Sequence, residues 1–351
     1  MKQIRNVRMA FLFWILAVPV LAGAESEGFS VFSDTVWDDV GAADRWAASF
    51  DNDFLVPGGR DQDYTYGFSV IRTSSKLDDH IATKPIGFID GLFKLDQPSR
   101  HGIEVGLYGF TPEDIERKDA NPDDRPYASL VYASTRAERV YPLEGKVISS
   151  QLTVGVLGID VVGDLQKGLH DMVEGKAPQG WRHQISDGGE PTLRYSLARQ
   201  KLLREPTGTF ELKHTHSVSV GYITEASWGM NFRAGKLNSL WHNFHPEQAS
   251  YAETSAQLNS RTAERFFWAG FAIKARAYNA FLQGQWRDSD VEYSSGDLRH
   301  LILEVWAGYT HGFANGIFVS YGLRGHSSEI RLGQGDRNVI WGGVMIGRNL
   351  E

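Results

Sequence analysis

Alternation is the feature that most restricts what this chain can become. From Trp46 onward, about twelve segments of roughly ten residues set apolar and polar side chains at period two. They include WAASFDND from Trp46, YTYGFSVIRTS from Tyr64, HGIEVGLYGF from His101 and SSQLTVGVLGID from Ser149, and they run on to VIWGGVMIG near the end. Period two sends successive side chains to opposite faces of a sheet. A tilted strand of this length crosses a bilayer. An even number of such strands, apolar outside and polar inside, makes an all-β fold: a transmembrane antiparallel up-and-down β-barrel of about 12 strands. No repeat of fixed period is visible, so a solenoid or propeller is not expected.

Composition agrees where it bears on this. The chain holds 37 Gly, 19 Phe, 13 Tyr and 10 Trp, yet its mean hydropathy is only −0.32. A barrel with a polar lumen averages out in this way. A soluble β-sandwich shares much of the composition, so strand number and length carry the assignment. Beyond the first segment no 18 apolar residues run together, which leaves no helical membrane domain. The opening MKQIRNVRMAFLFWILAVPVLAGA has a basic start, a short apolar run and small residues before its end. It reads as a signal peptide over 1–24, with one outer-membrane barrel domain over 25–351. There are no cysteines, which excludes disulfides, thiol catalysis and thiolate metal sites. A net charge of −7 argues against a nucleic-acid partner. A closed barrel has no free edges, so a monomer is expected.

One stretch breaks the β pattern. In DVVGDLQKGLHDMVEG, Val162, Leu165, Leu169, Met172 and Val173 recur at helical spacing. Asp164 is the expected N-cap and Gly175 the stop. Gln166 and His170, four apart, share one face of this short helix, which lies in an outer loop. Two features fit an ordinary barrel less well. The connection from Ser74 to Arg100 is long for a periplasmic turn, and the chain ends MIGRNLE without a terminal aromatic.

If odd-to-even connections lie on the outer side, three chemistry-bearing segments meet at one rim. They are the hairpin SFDNDFLVPGGRDQDYTYGF, the loop TPEDIERKDANPDDRPY and the helix with Gln166 and His170. Each has an ordinary reading: a solvated acidic turn around Asp51, Asp53, Asp61 and Asp63, a packing histidine, and a structural ion pair at Asp124 and Arg125. Together they can do chemistry. An imidazole is a general base near neutral pH. Asp53, Asn52 and hairpin carbonyls are oxygen donors suited to Ca²⁺. Arg117, Lys118 or Arg125 can pair with a phosphate. Neighbouring strand residues cannot both face one site, so a bulge or the start of the turn is predicted between Asn52 and Asp53. Serine catalysis has no Gly-x-Ser-x-Gly elbow here.

In order, DNDF…RDQDYTYGF, YGFTPEDI…DDRPYASLVY and VGVLGID…LQKGLHD…GW…Q…EP resemble the lipid A 3′-O-deacylase (LpxR-like) family. RAYNAFLQGQW from Arg276 resembles a late segment of its wider membership. The resemblance spans most of the chain after position 24. It implies an outer-membrane barrel that hydrolyses an acyl ester of lipopolysaccharide with Ca²⁺ assistance, in a site between the wall and a loop helix. It implies roles for Asn52, Asp53, Thr65, Gln166 and His170, and for Arg117 or Lys118 as the basic residue of the second outer loop. An acid and a tyrosine that follow the helix in the family are here Lys176 and Pro178. Two rivals remain: an outer-membrane phospholipid acyl hydrolase, and a non-catalytic pore or structural barrel. A plugged lumen would weigh against the pore.

Overall fold

Each alternating segment becomes a strand, and the strands close on themselves. The computed structural model describes residues 44–58, 63–172, 177–204, 207–249, 251 and 263–350. The segment expected to be a signal peptide, with Asp61 and Lys176, lies outside them. The strands are β1 (Asp44–Asn52), β2 (Asp63–Ser74), β3 (Arg100–Thr111), β4 (Ala128–Tyr141), β5 (Lys146–Leu157), β6 (Glu190–Arg204), β7 (Phe210–Gly221), β8 (Ile223–Lys236), β9 (Glu264–Asn279), β10 (Leu301–Gly312), β11 (Ile317–His326) and β12 (Val339–Leu350). Every neighbour in sequence is a neighbour in space, and β1 pairs antiparallel with β12 from Asp44↔Leu350 to Asn52↔Gly342. Closure leaves no unpaired edge, which a bilayer demands.

The two longer α-helices among the described residues are α1 (Lys84–Leu92) in the β2–β3 connection and α2 (Val161–Met172) in the β5–β6 connection. Helix α2 starts earlier than the cap expected at Asp164 implies. The Asp160 carbonyl accepts from Asp164 N at 2.9 Å, so Asp164 lies in the first turn and is not the N-cap. There its charge still favours the helix N-terminus.

The lumen is filled from below. The β8–β9 connection climbs inside the barrel until Tyr251 packs at the loop rim, the end formed by the odd-to-even connections. Its ring lies 4.8 Å from Phe110, 5.4 Å from Tyr108 and 5.5 Å from both Tyr64 and Trp341. Lower down, Phe244 packs edge-on to Phe266. A buried loop must have its backbone groups satisfied. Inward cations do this: Lys213 donates to the carbonyls of Trp241 and Phe244, Arg100 to His242, and Arg324 to Pro246. This plug is not visible in the alternation of the strands.

The mouth is tied by ions. Arg125 pairs with Glu329 at 3.0 Å and with Asp63 at 3.7 Å, Arg337 reaches Asp63 at 2.8 Å and Asp124 at 2.7 Å, and Arg276 also meets Glu329. Burial alone would raise the Glu329 pKa, but Arg276 and Arg125 outweigh it and hold the carboxyl well below its usual range. A depressed carboxylate stabilises the fold fully above about pH 5, and the contribution fades as pH falls through the folded-state pKa. Glu329→Gln should therefore cost about 3 kcal/mol at neutral pH and flatten the acid dependence of urea unfolding in micelles. Phe244→Ala should cost a similar amount, roughly 3 kcal/mol, with no such change in pH dependence.

Candidate active site

The wall under α2 is shaped to receive it. Along β3, Glu104 and Tyr108 face the lumen, so Val105, Leu107, Gly109 and Thr111 face outward. Gly109 is the seat. A Cβ there would lie 2.7 Å from Val162 Cγ1 and 3.2 Å from the Trp181 ring, so only glycine lets the helix approach this closely. Gly163 meets the same indole from the helix side, where a Cβ would lie 2.8 Å from it. The Tyr66 hydroxyl donates to the Val162 carbonyl at 2.5 Å and pins the first turn of α2 to the outer wall.

A bulge makes this possible. The β2–β3 register shifts between Tyr64 and Tyr66, which turns Tyr64 into the luminal aromatic cluster while Tyr66 stays outward with Phe68. Thr65, the extra residue, donates its hydroxyl to Thr111 Oγ1 at 2.9 Å. The predicted break between Asn52 and Asp53 is also present. Asn52 ends β1 and caps a 3₁₀ turn, Asp53–Leu55, by accepting from Phe54 N at 2.6 Å. Its Nδ2 donates to the Thr65 carbonyl, so Asn52 and Thr65 meet across the hairpin. Asp53 is 1% exposed at the head of that turn. Asp51 instead faces the lumen, beside Gly343, and Asp63 belongs to the ion network of the mouth. The acids of the hairpin therefore separate into different environments.

On α2, Gln166 is 1% exposed. Its Oε1 accepts from Trp181 Nε1 at 2.7 Å, and its buried Nε2 has no hydrogen-bond partner among the described residues. His170 follows one turn later on α2; its side chain lies outside the described residues. The trailing segment of this loop docks on the β3–β4 loop through Gln179 N to Ile115 O, 2.9 Å, and Ile185 N to Tyr127 O, 2.8 Å. The rings of Tyr127 and Trp181 are 5.0 Å apart. Burial pushes the Tyr127 hydroxyl above its ordinary range, which keeps it a donor to Ile115 O. Arg117 and Lys118 are exposed on the same loop, and the Lys118 carbonyl holds His183 and Arg182. Arg125 stands apart from them, buried against Glu329, Asp63 and the Phe110 ring. Pro178 lies half-buried beyond the helix.

Directly below α2 the outer wall is apolar. Phe68, Val105, Leu107, Val131, Val154 and Val156 line a shallow groove of about 640 Å³. Among the described residues no group of three or more His, Asp or Glu forms a metal cage. Asp53 and Asn52 supply oxygen donors only, a chemistry that fits a hard cation completed by carbonyls, water or substrate.

The model of the family described as outer membrane protein LpxR matches residues 10–350. The chain belongs to the LpxR family. Its location is accordingly the outer membrane. LpxR from Salmonella typhimurium shares the fold with a TM-score of 0.70 at 15% identity, over 87% of this chain and 100% of that one. The beta domain of the Bordetella autotransporter Brka is similar at a TM-score of 0.40 and 11% identity, over 88% and 98% of the two chains. No curated protein matches the chain in sequence.

Trp181 and Tyr66 are the residues of this LpxR-family site that sequence reasoning missed as supports of α2. Period two puts Tyr66 on the same face as Phe68, but nothing local shows that a helix covers it. Gly109→Val should lift α2 from the wall: amide exchange across residues 161–172 should speed up severalfold in hydrogen-exchange mass spectrometry while the strands keep their protection.

Proposed function

We propose that the protein is an outer-membrane lipid A deacylase, which hydrolyses an acyl ester of lipopolysaccharide, the 3′-O-linked acyloxyacyl chain. One observation carries the reading. A buried Gln166 amide, whose Nε2 has no partner among the described residues, lies one turn from His170, in a seam that opens onto a lipid-facing apolar groove. Such a seam brings a polar reaction centre to an acyl chain without removing the chain from the membrane.

In this reading His170 is the general base. It accepts a proton from water as the water oxygen attacks the ester carbonyl, and returns it to the alkoxide when the carbon–oxygen ester bond breaks. Gln166 orients the imidazole or the water through its free Nε2–H. Trp181 holds the other end of that amide, and Tyr66 holds the helix. Thr65 and Asn52 fix the hairpin edge of the site. Asp53 and Asn52 are the residues that would hold a Ca²⁺, which when bound would supply polarisation of the ester carbonyl. Arg117 and Lys118, exposed at the rim, suit a lipid phosphate better than Arg125, whose charge is already paired. Loss of the family's acid and tyrosine at Lys176 and Pro178 bears on how the sugar is held.

A phospholipid ester would enter the same groove, so substrate class is tested directly. A pore is disfavoured by the plug from Trp241 to Tyr251. The test is mass spectrometry of lipid A and phospholipids from cells with matched levels of wild type and His170→Ala, with Ca²⁺ supplied or chelated. The expected result is loss of an acyloxyacyl mass with wild type and Ca²⁺, reduced roughly 10²- to 10⁴-fold in the variant. Unchanged lipid A under every condition would remove the assignment, and a changed phospholipid profile would redirect it. Planar-bilayer recordings should show no unit conductance.

A further inference from the structure

The β2–β3 connection does not hang below the barrel as a free loop. It folds back along the outside of the wall. Even-numbered residues of β4 line the lumen, so Arg139 and Tyr141 face outward. Ser150 of β5 and Tyr195 of β6 share that outward register. Asp90 of α1 accepts from all three strands: from Arg139, from Ser150 Oγ at 2.7 Å and from the Tyr195 hydroxyl at 2.7 Å. The Tyr141 hydroxyl donates to Asp96 at 2.6 Å and closes the far end of the connection. Outward-facing Ala137 and Ile148, which would otherwise meet lipid, are buried beneath it.

Helix α1 is two-faced. Ile86 and Asp90, four apart, are buried against the wall. Two positions further on, about 200° around the helix, Phe88 and Leu92 are 71% and 67% exposed. Ile81 and Phe93 are also exposed and extend this patch, and Phe93 stacks on Tyr195 at 5.7 Å. Exposed apolar surface of this kind marks an interaction site. What covers it follows from continuity. Above α1, β5 and β6 present exposed Val154 and Leu193 to the bilayer and neighbouring β3 presents Val105, so the patch continues the lipid-facing wall. Lys84 and Lys94, both exposed, flank the helix at its two ends, where an interfacial helix meets headgroups.

We propose that α1 is an interfacial helix, clamped to the outer wall by Asp90, that seats Ile81, Phe88, Leu92 and Phe93 in the phospholipid leaflet at the base of the barrel, opposite the loop rim. The clamp has an electrostatic reason. Asp90 neutralises Arg139, a charge that would otherwise point from the wall into lipid.

The chain has no cysteine, so single labels are unambiguous. Full-length Phe88→Cys and Leu92→Cys would carry a nitroxide in phosphatidylethanolamine–phosphatidylglycerol vesicles. Val105→Cys serves as the lipid-facing reference and Asp79→Cys as the aqueous one. Power-saturation EPR compares relaxation by oxygen, which partitions into lipid, with relaxation by a water-soluble nickel chelate. The expected ratio at 88 and 92 exceeds that at 79 severalfold and lies between it and the deeper reference at 105. Adding Asp90→Asn should lower it at both positions. Labels relaxed chiefly by the nickel chelate would overturn the proposal. So would labels shielded from both reagents, which would point to a protein partner or a second copy. The readout needs no catalysis, so its failure leaves the deacylase reading untouched.

Discussion

Backbone polar groups cannot be left bare in hydrocarbon, and the rest of this structure depends on that. The β1–β12 ladder closes the sheet and turns twelve alternating segments into a wall with one apolar and one polar face. Once the polar face is inside, a second demand follows. A narrow lumen lined by Arg100, Lys213, Arg233 and Arg324 must balance its charge. Carboxylates do part of this, as Glu211 does between Lys213 and Arg233. The carbonyls of the plug do much of the rest. The luminal cations and the buried loop thus explain each other: neither would be stable in this place alone.

The same wall is used from outside. Helices α1 and α2 both lie against its lipid-facing surface, near opposite ends of neighbouring strands, with bare apolar wall between them. They are attached by different means. Helix α2 is seated by the absence of a side chain at Gly109 and by one tyrosine hydroxyl, whereas α1 is held by a carboxylate bonded to three strands. Packing and a few directed hydrogen bonds replace the hydrophobic drive that water would supply, because lipid offers little of it.

How much of this was legible depended on range. Period two is local, and it identified all twelve strands. The start of a turn between Asn52 and Asp53 was legible because two adjacent side chains cannot share a face. Helical spacing revealed α2 but misjudged its cap, since Asp164 is as good a capping residue as Asp160 by type alone. The family signatures supplied the candidates Asn52, Asp53, Thr65, Gln166 and His170, which periodicity alone does not single out. The bulge at Thr65, the plug and the outward fold of the β2–β3 connection left no periodic trace. Each is decided by partners far away in sequence: Thr111 for Thr65, Lys213 for Trp241, Tyr195 for Asp90. The acids of the first hairpin show the same limit. Composition grouped them, but one faces the lumen, one heads a buried turn, and Asp63 reaches 274 residues along the chain to Arg337.

The seam between α2 and the wall lies on the outside of the barrel, above an apolar groove. On the proposed reading, a substrate that reacts there would arrive by sliding within the plane of the leaflet. Encounter is then a search in two dimensions, governed by how densely substrate is packed around the barrel and how fast neighbouring lipids exchange places. For such a catalyst, stiffening the membrane would slow turnover even if no atom of the protein moved.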